Sequence, residues 1–453
     1  MIAFRALLVS CALFFPAGAS QAQSGGEACA GGLRACLLDE ALATARGISA
    51  ARDRGEALYA VAVAQADTGA VADALNTAQG ISDLRVRAEV LVVVAEAQAR
   101  SGDVAAALAT ARSIEDAREQ SSALAALRAV AVAQARAGDV ARALETTGAI
   151  EDLLARSEAQ AAVAAAQAEA GDIAGALETA RRIESAYWLP EARARNAHRF
   201  SESTVDDTWY FEALVAIAGV QARTGAVAAA LETARRIESV AGRSKAMAAA
   251  AVVQAEAGDI TGAMRTASGI EAAYGDVGAL VAVAVAQAKT GNVVAALELA
   301  RNIETAYGDV AALAAIAGVQ VEAGDAVAGL ASARSIRNFH GSARALVTVA
   351  VAQAKRGDLA GALRTATTIG DGNSRTEALE AVAVLQSKAG DVPGALETAT
   401  FIQNPYLRIE AQVSVAVARA AAGDAPGGVA IARGIDDRLG RTVALAKIAR
   451  TLR

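Results

Sequence analysis

The sequence predicts an all-α repeat array of about twelve antiparallel helix pairs, each 33 residues long. Three observations carry this expectation. An isoleucine closes every unit: Ile48, Ile81, Ile114, Ile150, Ile183, Ile237, Ile270, Ile303, Ile336, Ile369, Ile402 and Ile435. Most of these steps are 33 residues, a period typical of stacked helical repeats. The composition agrees, with 54% apolar residues but only 3% aromatics. Such a chain is built mainly from Ala, Val, Leu and Ile, which suits close helix packing. Finally, a glycine divides each unit at a fixed place, at Gly69, Gly102, Gly138, Gly171, Gly225, Gly258, Gly291, Gly324, Gly357, Gly390 and Gly423, with Cys36 standing where the first would be.

Residues 1–22 read as a signal peptide. Met1–Arg5 supplies a positive start, Ala6–Phe15 an apolar stretch ended by Pro16, and Ser20-Gln21-Ala22 the small residues of a cleavage site before Gln23. The expected location is therefore the periplasm or the outside of the cell. Residues 23–34 read as a linker or cap. Cleavage leaves Cys29 and Cys36, an even count that permits one bridge in an oxidising compartment. On one helix their Cα atoms would lie about 10 Å apart, beyond the roughly 7 Å a disulfide spans. Gly31-Gly32 offers a break that folds Cys29 back onto Cys36. A structural disulfide there is the favoured reading, and two separate thiols the alternative.

Repeats are expected over 35–187 and again over 208–453, the latter ending in a capping helix. In a typical unit, Arg344–Lys355 forms the first helix. Leu346, Val349, Ala350 and Gln353 fall at helical spacing on one stripe. The glycine then ends that helix. Asp follows it at 103, 139, 172, 259, 325, 358, 391 and 424, with Asn292 as a variant. These are read as N-caps of the second helix rather than catalytic acids, since a side-chain oxygen there accepts from the free N–H groups that open a helix. Ala107-Leu108, Ala143-Leu144, Ala176-Leu177, Ala230-Leu231 and Ala395-Leu396 mark the core face of the second helix. A small residue recurs four positions later, at Ala111, Thr147, Ala180, Ala234 and Ala399, where helix axes must approach closely. One unit cannot bury enough surface to offset its own chain entropy. Stability is thus expected to be shared between neighbours. The array is expected to be a long rod-like coil whose ends fray.

Two recurring polar positions stand out. A glutamine precedes each glycine by four, from Gln65 to Gln386, with Arg419 in its place in the last unit. It is read as satisfying a neighbouring helix or turn rather than lining a groove. The position two before glycine is charged and variable, from Asp67 and Arg100 to Lys388. It reads as a solvated rim that helps set partner register.

The period breaks once. Gly171 to Gly225 spans 54 residues, an insertion assigned to 188–207. It and its border carry Trp188, Arg193, Arg195, His198, Arg199, Phe200, Trp209, Tyr210 and Phe211. Trp, Tyr and Arg are the side chains favoured at binding hot spots. The same aromatics would equally serve to fill the gap where an extra segment packs across the array, and the residues do not choose between the two.

With these positions in place, the chain resembles the tetratricopeptide repeat family. Aligning the family's turn glycine with Gly357 matches Leu346, Val349 and Ala350 to its large, large and small first-helix positions, and Ala362 to its small second-helix position. The resemblance runs over roughly 35–453. It departs where Ala366 replaces a large aromatic, Ile369 a small contact, Gln353 a tyrosine, and where the final proline is missing. The resemblance implies a right-handed α-solenoid, a tetratricopeptide-like superhelix, and a role in holding proteins or peptides.

Function is expected to be binding, not catalysis. The net charge of −6 disfavours non-specific nucleic-acid binding, which needs a basic surface. No run of about 20 apolar residues is present to span a membrane. Only His198 and His340 are available, so no histidine metal cluster or His-based triad is assembled. No phosphate loop or dinucleotide motif occurs. The expectation is an exported, non-enzymatic scaffold without metal or cofactor. It would bind a protein or peptide through its concave surface and the aromatic insertion. The alternative is a module for a cell-envelope glycan that uses those aromatics as stacking platforms.

Overall fold

In the computed structural model, residues 32–114, 120–187, 208–270, 276–303 and 308–452 are described. They form an all-α protein of 24 helices, in which long and mostly shorter helices alternate. The long helices in the first half are α2 (Ala51–Asp67), α4 (Leu84–Arg100), α6 (Gln120–Arg136), α8 (Leu153–Glu169), α10 (Thr208–Arg223) and α12 (Val240–Glu256). Those in the second half are α14 (Asp276–Lys289), α16 (Gly308–Glu322), α18 (Phe339–Lys355), α20 (Gly372–Lys388), α22 (Pro405–Ala421) and α24 (Arg438–Thr451). Between them run α1 (Gly32–Arg46), α3 (Val71–Gln79), α5 (Val104–Arg112), α7 (Val140–Gly148), α9 (Ile173–Tyr187) and α11 (Val227–Arg235). The remainder are α13 (Ile260–Ser268), α15 (Val293–Arg301), α17 (Ala326–Ser335), α19 (Leu359–Thr367), α21 (Val392–Thr400) and α23 (Ala425–Arg433).

The helix punctuation follows from local chemistry. Each turn glycine from Gly69 to Gly423 has φ between 84° and 102°, a left-handed backbone that only glycine adopts without strain. The Asp after it caps the next helix as expected. Asp103, Asp139, Asp172, Asp259, Asp325, Asp358, Asp391 and Asp424 each accept from a backbone N–H three residues on. Asn292 makes no such side-chain bond. The long helices have caps of their own, two residues after the isoleucine: Asp83, Asp152, Ser239, Asn338, Asp371, Asn404 and Asp437. Arginines fix the same corner. Arg54, Arg243, Arg375, Arg408 and Arg441 each donate to the carbonyl of the isoleucine six residues earlier.

All twelve isoleucines are buried, none more than 7% exposed. The recurring small position is buried equally well: Ala111, Thr147, Ala180, Ala234 and Ala399 are at most 1% exposed. Each short helix packs on the long helix before it and on the one after it. Each long helix also packs on the next long helix, including α8 on α10 across the insertion.

The chain does not end in two frayed caps on an open coil. The last helix, α24, packs on both α1 and α2. Leu37, Ala41, Ala45 and Ile48 share one core with Leu445, Ile448 and Ala449. Around that core, Arg433 grips Glu40 through two bonds of 3.0 and 2.7 Å. Arg438 donates to the carbonyl of Gly47 at 2.7 Å, Arg450 pairs with Asp67 at 2.7 Å, and Arg34 donates to the Leu452 carbonyl. The physical reason lies in the phase of the repeat. Among the described residues, α1 stands in a second-helix position with no long helix before it, and α24 in a first-helix position with no short helix after it. Each end therefore offers the apolar face that the other lacks, and the layer of long helices closes on itself. Cys36, on α1, is disulfide-bonded. Its expected partner Cys29 lies outside the described residues.

Candidate binding surface on the long helices

The long helices line the inside of the closed array. In any bent two-layer array the inner elements lie closer together. Here neighbouring long helices pack directly, whereas among the described residues the short helices have their substantial contacts with long ones.

The inward stripe is read directly from exposure. On α2, Arg52, Glu56, Ala60, Val63 and Asp67 are exposed or half-buried, while Ala57, Leu58, Val61, Ala62 and Gln65 between them are buried. The exposed set repeats every three or four residues, which is one helix face. Equivalent faces show an apolar centre of half-buried small side chains, such as Ala129 and Val132, Ala282 and Val285, and Ala381 and Val384. Charged residues border it on both sides.

One border is the variable charged position. There Arg100 pairs with Asp67 at 3.2 Å and Arg136 with Glu169 at 3.0 Å, each bond joining neighbouring long helices. On the other border Lys245 pairs with Glu212 at 3.0 Å. These pairs are substantially exposed, so each contributes only about 0–1 kcal/mol and its main effect is on lateral register.

The glutamines are structural. Thr77, Thr110, Thr146, Thr179, Thr233, Thr266, Ser332, Thr365 and Thr398 each donate a hydroxyl, at 2.7–2.8 Å, to the side-chain oxygen of the glutamine twelve residues earlier. Each bond ties a short helix to its own long helix. The exceptions support this. Leu299 stands where the hydroxyl should be for Gln287, whose side-chain oxygen is buried without a partner. In the last unit Ile431 replaces the hydroxyl and Arg419 replaces the glutamine. Arg419 instead bonds the cap Asp424 at 2.7 Å. Bonds from the Gly427 N–H and from Arg419 hold the Asp424 carboxyl below its usual range. Asp371 is lowered likewise, chiefly by the Ser374 N–H.

Grooves that indent the inner face of the described residues include these two. One, of about 650 Å³, lies over α16 and α18 and is lined by Val310, Ala311, Ala314, His340, Arg344 and Glu377. The other, of about 760 Å³, crosses the place where the chain ends meet. Its wall comes from α2, α20, α22 and α24. Ile409, Val413, Leu439 and Val443 are its apolar lining, and Tyr406, Glu56, Glu380, Glu410, Arg52 and Lys447 line it with them.

Of the sequence-predicted binding residues, Trp188, Arg193, Arg195, His198, Arg199 and Phe200 lie outside the described residues. Tyr210 is 7% exposed inside the core, with Trp209 and Phe211 packed against that core. The Tyr210 and Phe211 rings lie 5.4 Å apart, tilted by 45°. The groove at the chain ends was not legible in the sequence, because its walls are 391 residues apart along the chain at Arg52 and Val443. Among the described residues, no group of three or more His, Cys, Asp or Glu is placed to hold a metal ion, and no helix is long and apolar enough to cross a membrane.

Comparison with known proteins adds little. No family model matches the chain, and no curated protein matches it. Among solved structures it is similar to Ton1535 from Thermococcus onnurineus NA1, at 16% identity over 78% of this chain and 96% of that one, with a TM-score of 0.24. It is also similar to a circular tandem repeat protein with novel repeat topology and enhanced subunit contact surfaces. That match has 14% identity over 92% of this chain and 98% of the other, with a TM-score of 0.15. At such scores neither likeness carries an argument. What is shown is an all-helical repeat architecture, established by the helices and their packing.

Proposed function

We propose that this protein is an exported, non-enzymatic scaffold that binds a protein or peptide along the inner face of its long helices. Its units are taken as about twelve right-handed, tetratricopeptide-like helix pairs. The observation that carries the reading is the inward stripe, with its apolar centre of Ala and Val between two charged borders. An apolar strip with a polar rim is the anatomy of a protein-recognition surface. The disulfide at Cys36 supports an oxidising compartment, where such bonds persist.

The test is site-specific photo-crosslinking in the native cell. A photoreactive side chain replaces Val63, Val285 or Val384 on the inner stripe, and Arg112 or Arg235 on the short helices as controls. The inner positions are expected to trap a polypeptide that the outer ones do not. Equal trapping at both sets, or transfer to carbohydrate alone, would defeat the reading, and the second outcome would favour the envelope-glycan role.

A further inference from the structure

We infer that the groove where the two chain ends meet binds a basic peptide segment with apolar anchors, supplied by a partner protein. The inference rests on the inner-face reading and specifies its occupant.

Charge and shape point the same way. Five carboxylates line this groove, Asp53, Glu56, Glu380, Glu410 and Asp437, against two cations, Arg52 and Lys447. Arg52 is already spent on Glu56 at 3.2 Å, and Asp437 caps α24. Glu380 accepts only a neutral hydroxyl bond, from Ser414 at 2.8 Å. No ion pair reaches Glu380 or Glu410 among the described residues. Their charge is therefore available to a ligand.

Part of the lining is apolar, and Tyr406, also in the lining, is 80% exposed. In a chain with 3% aromatics, an unburied tyrosine beside an apolar trough is a natural anchor for a partner's side chain. Lysine or arginine near that anchor would meet Glu410, one turn along the same helix, and Glu380 on the neighbouring helix α20. Complementary charge of this kind raises association rate and selects the partner. A nucleic acid or an anionic glycan would meet repulsion in the same place.

The groove also has a built-in condition. Arg52, Asp53 and Glu56 come from the N-terminal end, and the rest of the wall from the C-terminal half. The site is complete only while α24 stays docked on α1 and α2.

The test uses the whole disulfide-bonded protein and fluorescence anisotropy. Three dye-labelled helical peptides of about 14 residues share one leucine pattern and carry Lys, Ser or Glu at the other positions. The Lys peptide is expected to bind best. The Glu380→Gln/Glu410→Gln pair is expected to weaken it roughly tenfold and to reduce its salt sensitivity, with little effect on the Ser peptide. Tyr406→Ala should weaken both. The control Glu145→Gln/Glu397→Gln, on exposed short-helix positions, should change nothing. An equal loss in that control would mean bulk attraction to an acidic protein and would overturn the inference. So would equal binding of all three peptides, or no binding by any. Should the Ser peptide bind as well as the Lys peptide, and respond to Tyr406→Ala, the charge argument fails while the inner-face reading survives. Failure of that reading is decided separately, by the crosslinking pattern.

Discussion

The recurring Gln–Thr bond shows how a single side chain serves the repeat. A buried amide without a partner costs about 1–3 kcal/mol, whereas removing both partners costs little. Gln353→Met orphans the buried hydroxyl of Thr365, so urea unfolding should show a loss of about 1–3 kcal/mol. Gln287 has no hydroxyl opposite it, so Gln287→Met should be neutral or stabilising in the same assay. Similar losses at both sites would mean that packing volume, not the hydrogen bond, explains the glutamine. The acidic caps set a pH dependence. The Asp424 carboxyl is lowered by the Gly427 N–H and by Arg419. Its contribution is present above the unfolded value of about 3.9 and is lost as pH falls through the folded value. Thermal melts between neutral and acid pH should therefore show a shallower acid decline in Asp424→Asn than in the parent.

At the level of elements, the spacing between helix pairs depends on small residues where helix axes cross. Gly428, on α23, has no room for a methyl group. A Cβ there would lie 2.6 Å from the Ala416 carbonyl oxygen and 2.8 Å from the Ala420 Cβ. Gly428→Ala should therefore force α22 and α23 apart and cost about 1–3 kcal/mol. Gly148, the last residue of α7, meets nothing within 4 Å, and Gly148→Ala should stabilise slightly, by less than the roughly 0.5–1 kcal/mol of a mid-helix glycine. Opposite signs in denaturant titrations would confirm that closeness of approach, and not helix propensity, governs the crossing. Much of this scale was legible in advance. Helix ends, caps and the buried isoleucines followed from glycine, aspartate and period. The seven long-helix caps two residues after an isoleucine carried an equally plain signal, an Asp, Asn or Ser at a fixed offset.

For the whole molecule, closure changes how stability is distributed. An open stack loses protection at its ends, but here the terminal helices share a core. Native-state hydrogen exchange should therefore protect α1 and α24 as well as interior helices. Deleting 438–453 should expose Leu37, Ala41 and Ala45, speed exchange in α1 and α2 and leave α10–α14 nearly unchanged. Fast exchange at both ends of the intact protein would contradict closure. Small-angle scattering should likewise show expansion on the deletion, since the layer would be free to open.

By itself, the sequence determined the unit: its length, its two helices, their caps and the face each buries. Those properties depend on neighbours a few residues apart and on one repeated packing solution, so they are written in the period. The tertiary structure alone decided that the array closes and that its ends jointly build a groove. Closure depends on the small rotation added by each pair and summed over the chain, a quantity set by how side chains of adjacent helices interlock. No single repeat encodes that sum. Helices α1 and α24 have complementary faces, but only their meeting in space turns them into one.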